Sequence, residues 1–198
     1  KPVVVAMIGL VGSGKSSVAK HFSEEIGATV IDYEKIRLEL RRRRAGYEAE
    51  GAIARILTLN LLKQGNSVIL DTDFVDARHR RMLREKVRHT DASLVFVRTH
   101  ADFKTTFNRL LAADRRRTEG FVDPILSEMM EKDDIASVKI GEMFRLLLQH
   151  YRATDEGQRS RLVPRKFSRI LSDWNDIDTT NYNDWRRAVK VCAERLSD

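Results

Sequence analysis

Pro2-Val3-Val4-Val5-Ala6-Met7-Ile8 is an unbroken apolar run, and Gly9-Leu10-Val11-Gly12-Ser13-Gly14-Lys15-Ser16 follows it without a spacer. Three consecutive valines inside such a run indicate a strand buried on both faces, as in a parallel sheet. From Lys15 the pattern turns helical, with Val18, Ala19 and Phe22 on one face, until Gly27 stops it. A buried strand, a glycine-rich turn and a helix in immediate succession make an α/β layer fold the expectation.

The turn matches G-x-x-x-x-G-K-[ST] at every position. Glycines let the backbone curl so that successive N–H groups converge on an anion, a conformation that side chains would obstruct. Lys15 brings a compact cation, Ser16 offers a hydroxyl to a divalent metal, and the helix start adds its positive dipole end. The expected phosphate contacts are Leu10, Val11, Gly12, Ser13, Gly14, Lys15, Ser16 and Ser17.

Beyond this loop the strand and helix patterns alternate. Ala28 to Ile31 reads as a second strand ending at Asp32, Ser67 to Leu70 as a third ending at Asp71, and Ser93 to Val97 as a fourth. Helical sequence spans Glu34 to Arg44, then Glu48 to Gln64 with Ile53, Ile56, Leu57, Asn60 and Leu61 at helical spacing, then Asp76 to His89. Phe103, Phe107, Leu110 and Leu111 mark another helix, and a long one is predicted over Pro124 to Tyr151. A short last strand is expected between Asn175 and Thr180, and Trp185, Val189, Cys192 and Leu196 give a closing amphipathic helix. Residues 152–175 are polar and basic and carry no pattern of their own. The fold expected is a three-layer α/β/α sandwich around a parallel sheet of about five strands, in a single domain over residues 1–198. In such sheets ligands sit at the carboxyl ends of the strands, so the glycine loop, Asp32, Asp71 and Arg98 are expected around one crevice.

Two acidic clusters stand where that crevice should be. In Asp32-Tyr33-Glu34-Lys35-Ile36-Arg37 two carboxylates two positions apart share a side if strand geometry persists, with a cation one helical turn on. An acceptor hydroxyl needs a carboxylate to take its proton and a cation to hold it, so Asp32, Glu34 and Arg37 are the catalytic candidates beside Lys15. An aspartate ending a buried strand, as Asp71 does in Asp71-Thr72-Asp73, suits magnesium, with Ser16 as the other ligand. ATP and Mg²⁺ are therefore the expected cofactors. No Asn-Lys-x-Asp run that could read guanine and no Leu-Ser-Gly-Gly-Gln signature of transporter ATPases is present.

The formal charge is +7 over 198 residues, which favours anionic partners without choosing among them. Cys192 is the only cysteine, so no internal disulfide can form, and a reducing, cytoplasmic setting is expected. No apolar run reaches the roughly 20 residues that a membrane span needs. No membrane partner is expected, and the oligomeric state is left open.

At these residues the sequence resembles the nucleoside and nucleotide kinase-like branch of P-loop proteins, over residues 3 to about 130. Within the branch it looks most like the polynucleotide 5′-hydroxyl kinases and their small ATPase relatives. That resemblance places their aspartate-to-arginine spacing on Glu34 and Arg37, with Glu34 departing from the family's aspartate. It also places their Asp-Thr-(Asn/Asp) strand end and basic helix on Asp71-Thr72-Asp73 and Arg80-Arg81. It implies an arginine-bearing lid at about 113–122, with Arg115 on the nucleotide and Arg116 neutralising charge during transfer, together with Arg109 and Arg117. Dephospho-coenzyme A kinases show a similar series to Gly12 through Asp32. Similarity to shikimate and adenylylsulfate kinases assigns Asp32 to the metal and Glu34 to the acceptor, and the branch implies an adenine pocket around Asp178 to Asn181. The activity implied is transfer of the ATP γ-phosphoryl group to a hydroxyl of a nucleotide, a coenzyme precursor or a 5′-hydroxyl nucleic acid. A nucleotide-binding regulatory module without phosphotransfer is the reading from another class.

Overall fold

The computed structural model describes residues 1–10, 12–120, 151–156, 159–164 and 175–197. In chain order its elements are β1 (Val3–Ile8), α1 (Lys15–Ile26), β2 (Thr29–Asp32), α2 (Tyr33–Arg42), a 3₁₀ turn (Tyr47–Ala49), α3 (Glu50–Lys63), β3 (Val68–Asp71) and α4 (Ala77–Arg88). There follow β4 (Ser93–His100), α5 (Phe103–Gly120), β5 (Tyr151–Glu156), β6 (Arg159–Pro164), β7 (Asp176–Asp178) and α6 (Tyr182–Ser197). These fall into two compact units, Lys1–His100 with Ser168–Asp198, and Ala101–Phe167.

The first unit is built on a five-stranded sheet in the order β2-β3-β1-β4-β7, every pair parallel. β1 lies at its centre because its side chains are apolar on both faces, and period-two alternation sends them to two cores. Val5 and Met7 join Ile69, Val97 and Ile177 beneath α1 and α6, where Phe22, Trp185, Val189 and Cys192 are buried. Val4, Ala6 and Ile8 join Val68, Leu70 and Phe96 on the other face, packed against Ala54, Leu61 and Leu62 of α3 and Leu83 and Val87 of α4. This is the expected three-layer α/β/α sandwich with a parallel sheet of five strands.

Several local expectations are corrected. On α3 the buried positions are Ala54 and Thr58, while Ile56 and Leu57 are exposed. The Thr58 hydroxyl donates to the Ala54 carbonyl at 2.7 Å. β4 continues three residues beyond Val97 because Arg98, Thr99 and His100 pair with Asp176, Ile177 and Asp178. Tyr151 opens a strand rather than ending a helix, and the rest of the predicted 124–151 helix lies outside the described residues.

In the second unit β5 and β6 form an antiparallel hairpin, registered from Tyr151 opposite Pro164 to Glu156 opposite Arg159. The Tyr151 hydroxyl donates to the Ala101 carbonyl at 2.8 Å and lies 2.9 Å from the Thr106 hydroxyl. Its ring meets Phe103 edge-on at 5.5 Å, and Phe103 stacks on Phe107. α5 is begun by Asp102, whose carboxylate accepts from the Thr105 N–H and hydroxyl.

Candidate nucleotide site

β1 ends at the buried Ile8, and the chain turns at once through the glycine loop at the carboxyl edge of the sheet. The approach there is tight. A Cβ built on Gly9 would lie 2.4 Å from the Thr99 hydroxyl and 2.5 Å from the Ser13 hydroxyl, so no side chain fits. Those two hydroxyls are 2.8 Å apart and buried, which ties the loop to the end of β4. The Ser13 N–H closes the turn on the Leu10 carbonyl at 3.1 Å.

Gly14 starts α1 from the left-handed region, at φ 80° and ψ 11°. α1 has neither a side-chain cap nor an acidic residue in its first turn. Most helices fill this position with a side-chain oxygen or a carboxylate; leaving it open fits an anion supplied from outside. Of the expected phosphate contacts, Leu10, Gly12, Ser13, Gly14, Lys15, Ser16 and Ser17 lie along this turn and helix start, and Val11 falls outside the described residues.

Lys15 folds back so that its Nζ lies 3.2 Å from Asp71 Oδ1, at the end of β3. Asp71 is buried, and Oδ1 has no hydrogen-bond partner of good geometry beyond this contact. A buried carboxylate oxygen next to a lysine and with no other donor fits a hard cation as its second counter-charge. No group of three His, Cys, Asp or Glu side chains that could hold a metal exists among the described residues. Magnesium, which binds through one or two protein oxygens and completes its shell with phosphates and water, needs no such group. Asp71 and the exposed Ser16 hydroxyl are the residues that would hold it.

Asp32 is the register partner of Asp71 across the parallel β2–β3 pair, so the two carboxylates stand on neighbouring strand ends, about 4.8 Å apart in backbone. Strand geometry stops there. Asp32 caps α2, accepting from the Lys35 N–H at 3.1 Å with the Lys35 ammonium 3.6 Å away. Glu34 lies in the first turn of that helix, exposed, and is separated from Asp32 by helical rather than strand rotation. The expectation that strand alternation puts both on one side is thus replaced, because an aspartate followed by helix formers starts the helix at Tyr33. Arg37 Nε is 2.9 Å from Glu50 Oε2, a link between α2 and α3. Burial, and after it the Glu50 charge, push the Tyr33 phenol above its ordinary value of 10.0.

Arg98 does not line the loop side of β4. It is buried, with Nε 2.9 Å from Asp176 Oδ1, and His100 Nε2 lies 3.4 Å from the same oxygen. Burial lowers the His100 pKa below 6.5, against the opposing pull of Asp176. Alternation along β4 instead points Thr99 at the loop. Arg80 is also committed elsewhere: it is buried on α4 and donates to the carbonyls of Phe74, at 2.6 Å, and Val75. It thereby clamps the turn that follows Asp71.

The segment expected to hold adenine, Asp178 to Asn181, reaches the loop directly. Asp178 accepts from the Thr180 N–H and hydroxyl, and the Thr179 hydroxyl donates to the Ser13 carbonyl at 2.8 Å. Thr99 and Thr179 carried no signal in the sequence, since a threonine at a strand end is unremarkable. Arg115 and Arg116 belong by backbone to α5 of the second unit, and their side chains, like that of Arg117, lie outside the described residues.

The parallel sheet, the curled loop between β1 and α1, and the strand-end aspartate beside the loop lysine define a P-loop NTPase α/β fold. The family described as an AAA domain matches residues 4–130, and the chain belongs to that family. No curated protein matches it in sequence. Among solved structures it is similar to a Chloroflexus aurantiacus protein provisionally described as a kinase, with 14% identity, TM-score 0.62 and coverage of 99% of this chain and 97% of that one. The APS kinase CysC of Mycobacterium tuberculosis, solved with AMPPNP and APS, gives 18% identity, TM-score 0.52 and coverage of 100% and 96%. A gluconokinase of Sinorhizobium meliloti gives 17%, 0.51, 98% and 93%. No described helix is long and apolar enough to cross a membrane.

Proposed function

We propose that this protein is an ATP- and Mg²⁺-dependent kinase that transfers the γ-phosphoryl group to a hydroxyl of a nucleotide-type or polynucleotide substrate. One observation carries the reading. A phosphate-loop lysine and a strand-end carboxylate lie 3.2 Å apart, and a second carboxylate sits on the adjoining strand end. Such a site holds a nucleotide's phosphates and presents a proton acceptor beside them.

ATP bound there supplies an activated phosphoryl group, and magnesium supplies charge neutralisation. With nucleotide bound, Lys15 would turn from Asp71 to the phosphates, and Asp71 and Ser16 would hold the cation. Asp32 or Glu34 takes the proton of the acceptor hydroxyl as its oxygen bonds to phosphorus and ADP leaves. Arg37, already steered by Glu50, orients the acceptor. The +7 charge supports a polyanionic acceptor. A small-metabolite acceptor, dephospho-coenzyme A included, is the second reading, favoured by similarity to structures described as a gluconokinase and an APS kinase.

The test is incubation with labelled ATP and a panel of nucleosides, nucleotides, 5′-hydroxyl oligonucleotides, dephospho-coenzyme A and gluconate. A labelled product that disappears in Lys15→Ala, and in one of Asp32→Asn and Glu34→Gln while ATP binding persists in that variant, is the expected result. Binding of ATP with no labelled product from any acceptor would instead mark a regulatory nucleotide-binding module.

A further inference from the structure

Beyond the residues that would touch the nucleotide, we propose that Thr179 is a positioning residue for the phosphate loop, acting from the turn between β7 and α6 through the Ser13 carbonyl. The proposal rests on the nucleotide-binding reading above. The Thr179 hydroxyl has a single proton and lies within reach of two acceptors, Ser13 O at 2.8 Å and His100 O at 3.0 Å. The His100 carbonyl already accepts from the Thr179 N–H at 2.7 Å. The hydroxyl proton is therefore best used on Ser13 O.

The consequence follows from peptide geometry. No described peptide bond is cis, and in a trans peptide the C=O and the N–H point in opposite directions. With the Ser13 carbonyl held toward Thr179, the N–H of Gly14 is turned away from it, toward the concave side of the loop where a β-phosphate lies. The same side chain guards the turn sterically. A Cβ on Gly14 would stand 3.0 Å from the Thr179 hydroxyl and 3.2 Å from its methyl group. From the other flank, Thr99 holds the Ser13 hydroxyl at 2.8 Å and out of the cradle. Ser13 is thus gripped at its carbonyl by one strand end and at its side chain by another. An amide fixed before the ligand arrives adds more to binding than one that must be ordered on contact.

The experiment compares the parent with Thr179→Val, which keeps the shape and removes the hydroxyl, and Thr179→Ser, which keeps the hydroxyl. Calorimetry measures affinity for MgATP, and competition measures affinity for magnesium tripolyphosphate, which has no base. Thr179→Val should bind both about tenfold more weakly and by the same factor, and Thr179→Ser should recover most of the loss. Thr179→Ala, which adds no atoms, serves as the second deletion if the valine variant does not fold. Parental affinity in the deletion variants overturns the proposal. So does a loss confined to MgATP, which would put the threonine's influence on the base, and so does failure of both deletions to fold, which would make it a purely structural threonine. A parent that binds no MgATP would overturn the nucleotide-site reading itself, a separate result.

Discussion

Gly9→Ala puts the packing of the loop against β4 to a quantitative test. The added methyl would lie 2.4 Å from Thr99 Oγ1, 2.5 Å from Ser13 Oγ and 3.0 Å from the Thr99 carbonyl, so both side chains must move and backbone stands behind one of them. Forcing a methyl into a filled interior costs about 1 to 3 kcal/mol. Separating the buried Ser13 and Thr99 hydroxyls, now 2.8 Å apart, adds a cost of similar size for polar groups left without partners, about 1 to 3 kcal/mol. The sum, about 2 to 6 kcal/mol, corresponds at its middle value of about 4 kcal/mol to a fall of roughly 8 to 16 °C in a chain of this length. Gly51→Ala is the matched control. It lies in the first turn of α3, and its added methyl would meet nothing within 4 Å. It should gain about 0.5 kcal/mol from helix propensity, a rise of roughly 1 to 2 °C. Thermal unfolding, followed by exposure of the buried Cys192 to a thiol-reactive dye, reads the unit that contains both glycines. A Gly9→Ala protein melting within about 2 °C of the parent would refute this account of the loop's packing.

Three further outcomes are expected. Burial pushes the Cys192 thiol up to about 12, so it should resist alkylation at neutral pH in the folded protein and react at the rate of unfolding, as a time course with and without denaturant would show. His100 has a folded pKa held below 6.5 by burial; the unfolded chain therefore binds the proton first, and stability present above that pH is lost as pH falls through the lowered value. Denaturant midpoints measured between neutral and mildly acid pH should fall, and His100→Asn should flatten the decline. Glu50→Gln should lower the Tyr33 titration midpoint while leaving it above 10.0, because burial is the larger cause; ultraviolet titration of tyrosinate against the parent checks this.

The central architecture was legible because each sheet strand carries its own signal. Val3 to Ile8 and Val68 to Leu70 are apolar on both faces, which only a covered parallel sheet explains. The glycine loop was legible because its spacing has one well-understood mechanical purpose. The hairpin over 151–164 was not, since Arg152, Thr154, Asp155, Arg159 and Arg161 leave it without an alternating apolar face. α3 misled for a different reason: Ile56 and Leu57 face outward, and the helix meets the core through Ala54, Leu61 and Leu62. Around the site, Lys15 lies 3.2 Å from Asp71, and Asp32 is the register partner of Asp71 on the adjoining strand. The burial of Arg98 against Asp176 and the grip of Thr99 and Thr179 on Ser13 depend on pairing across some 80 to 170 positions of chain, between β4 and β7 and back to the loop. No local pattern reports such pairings.

The position of β7 and α6 bears on what a truncation would remove. One of the two hydroxyls that brace the phosphate loop, and the helix that packs with α1, lie far along the chain from the loop, Thr179 being 166 positions beyond Ser13. A chain cut before Asp176 would keep the signature motif while losing the Thr179 brace and leaving the apolar side of α1 uncovered.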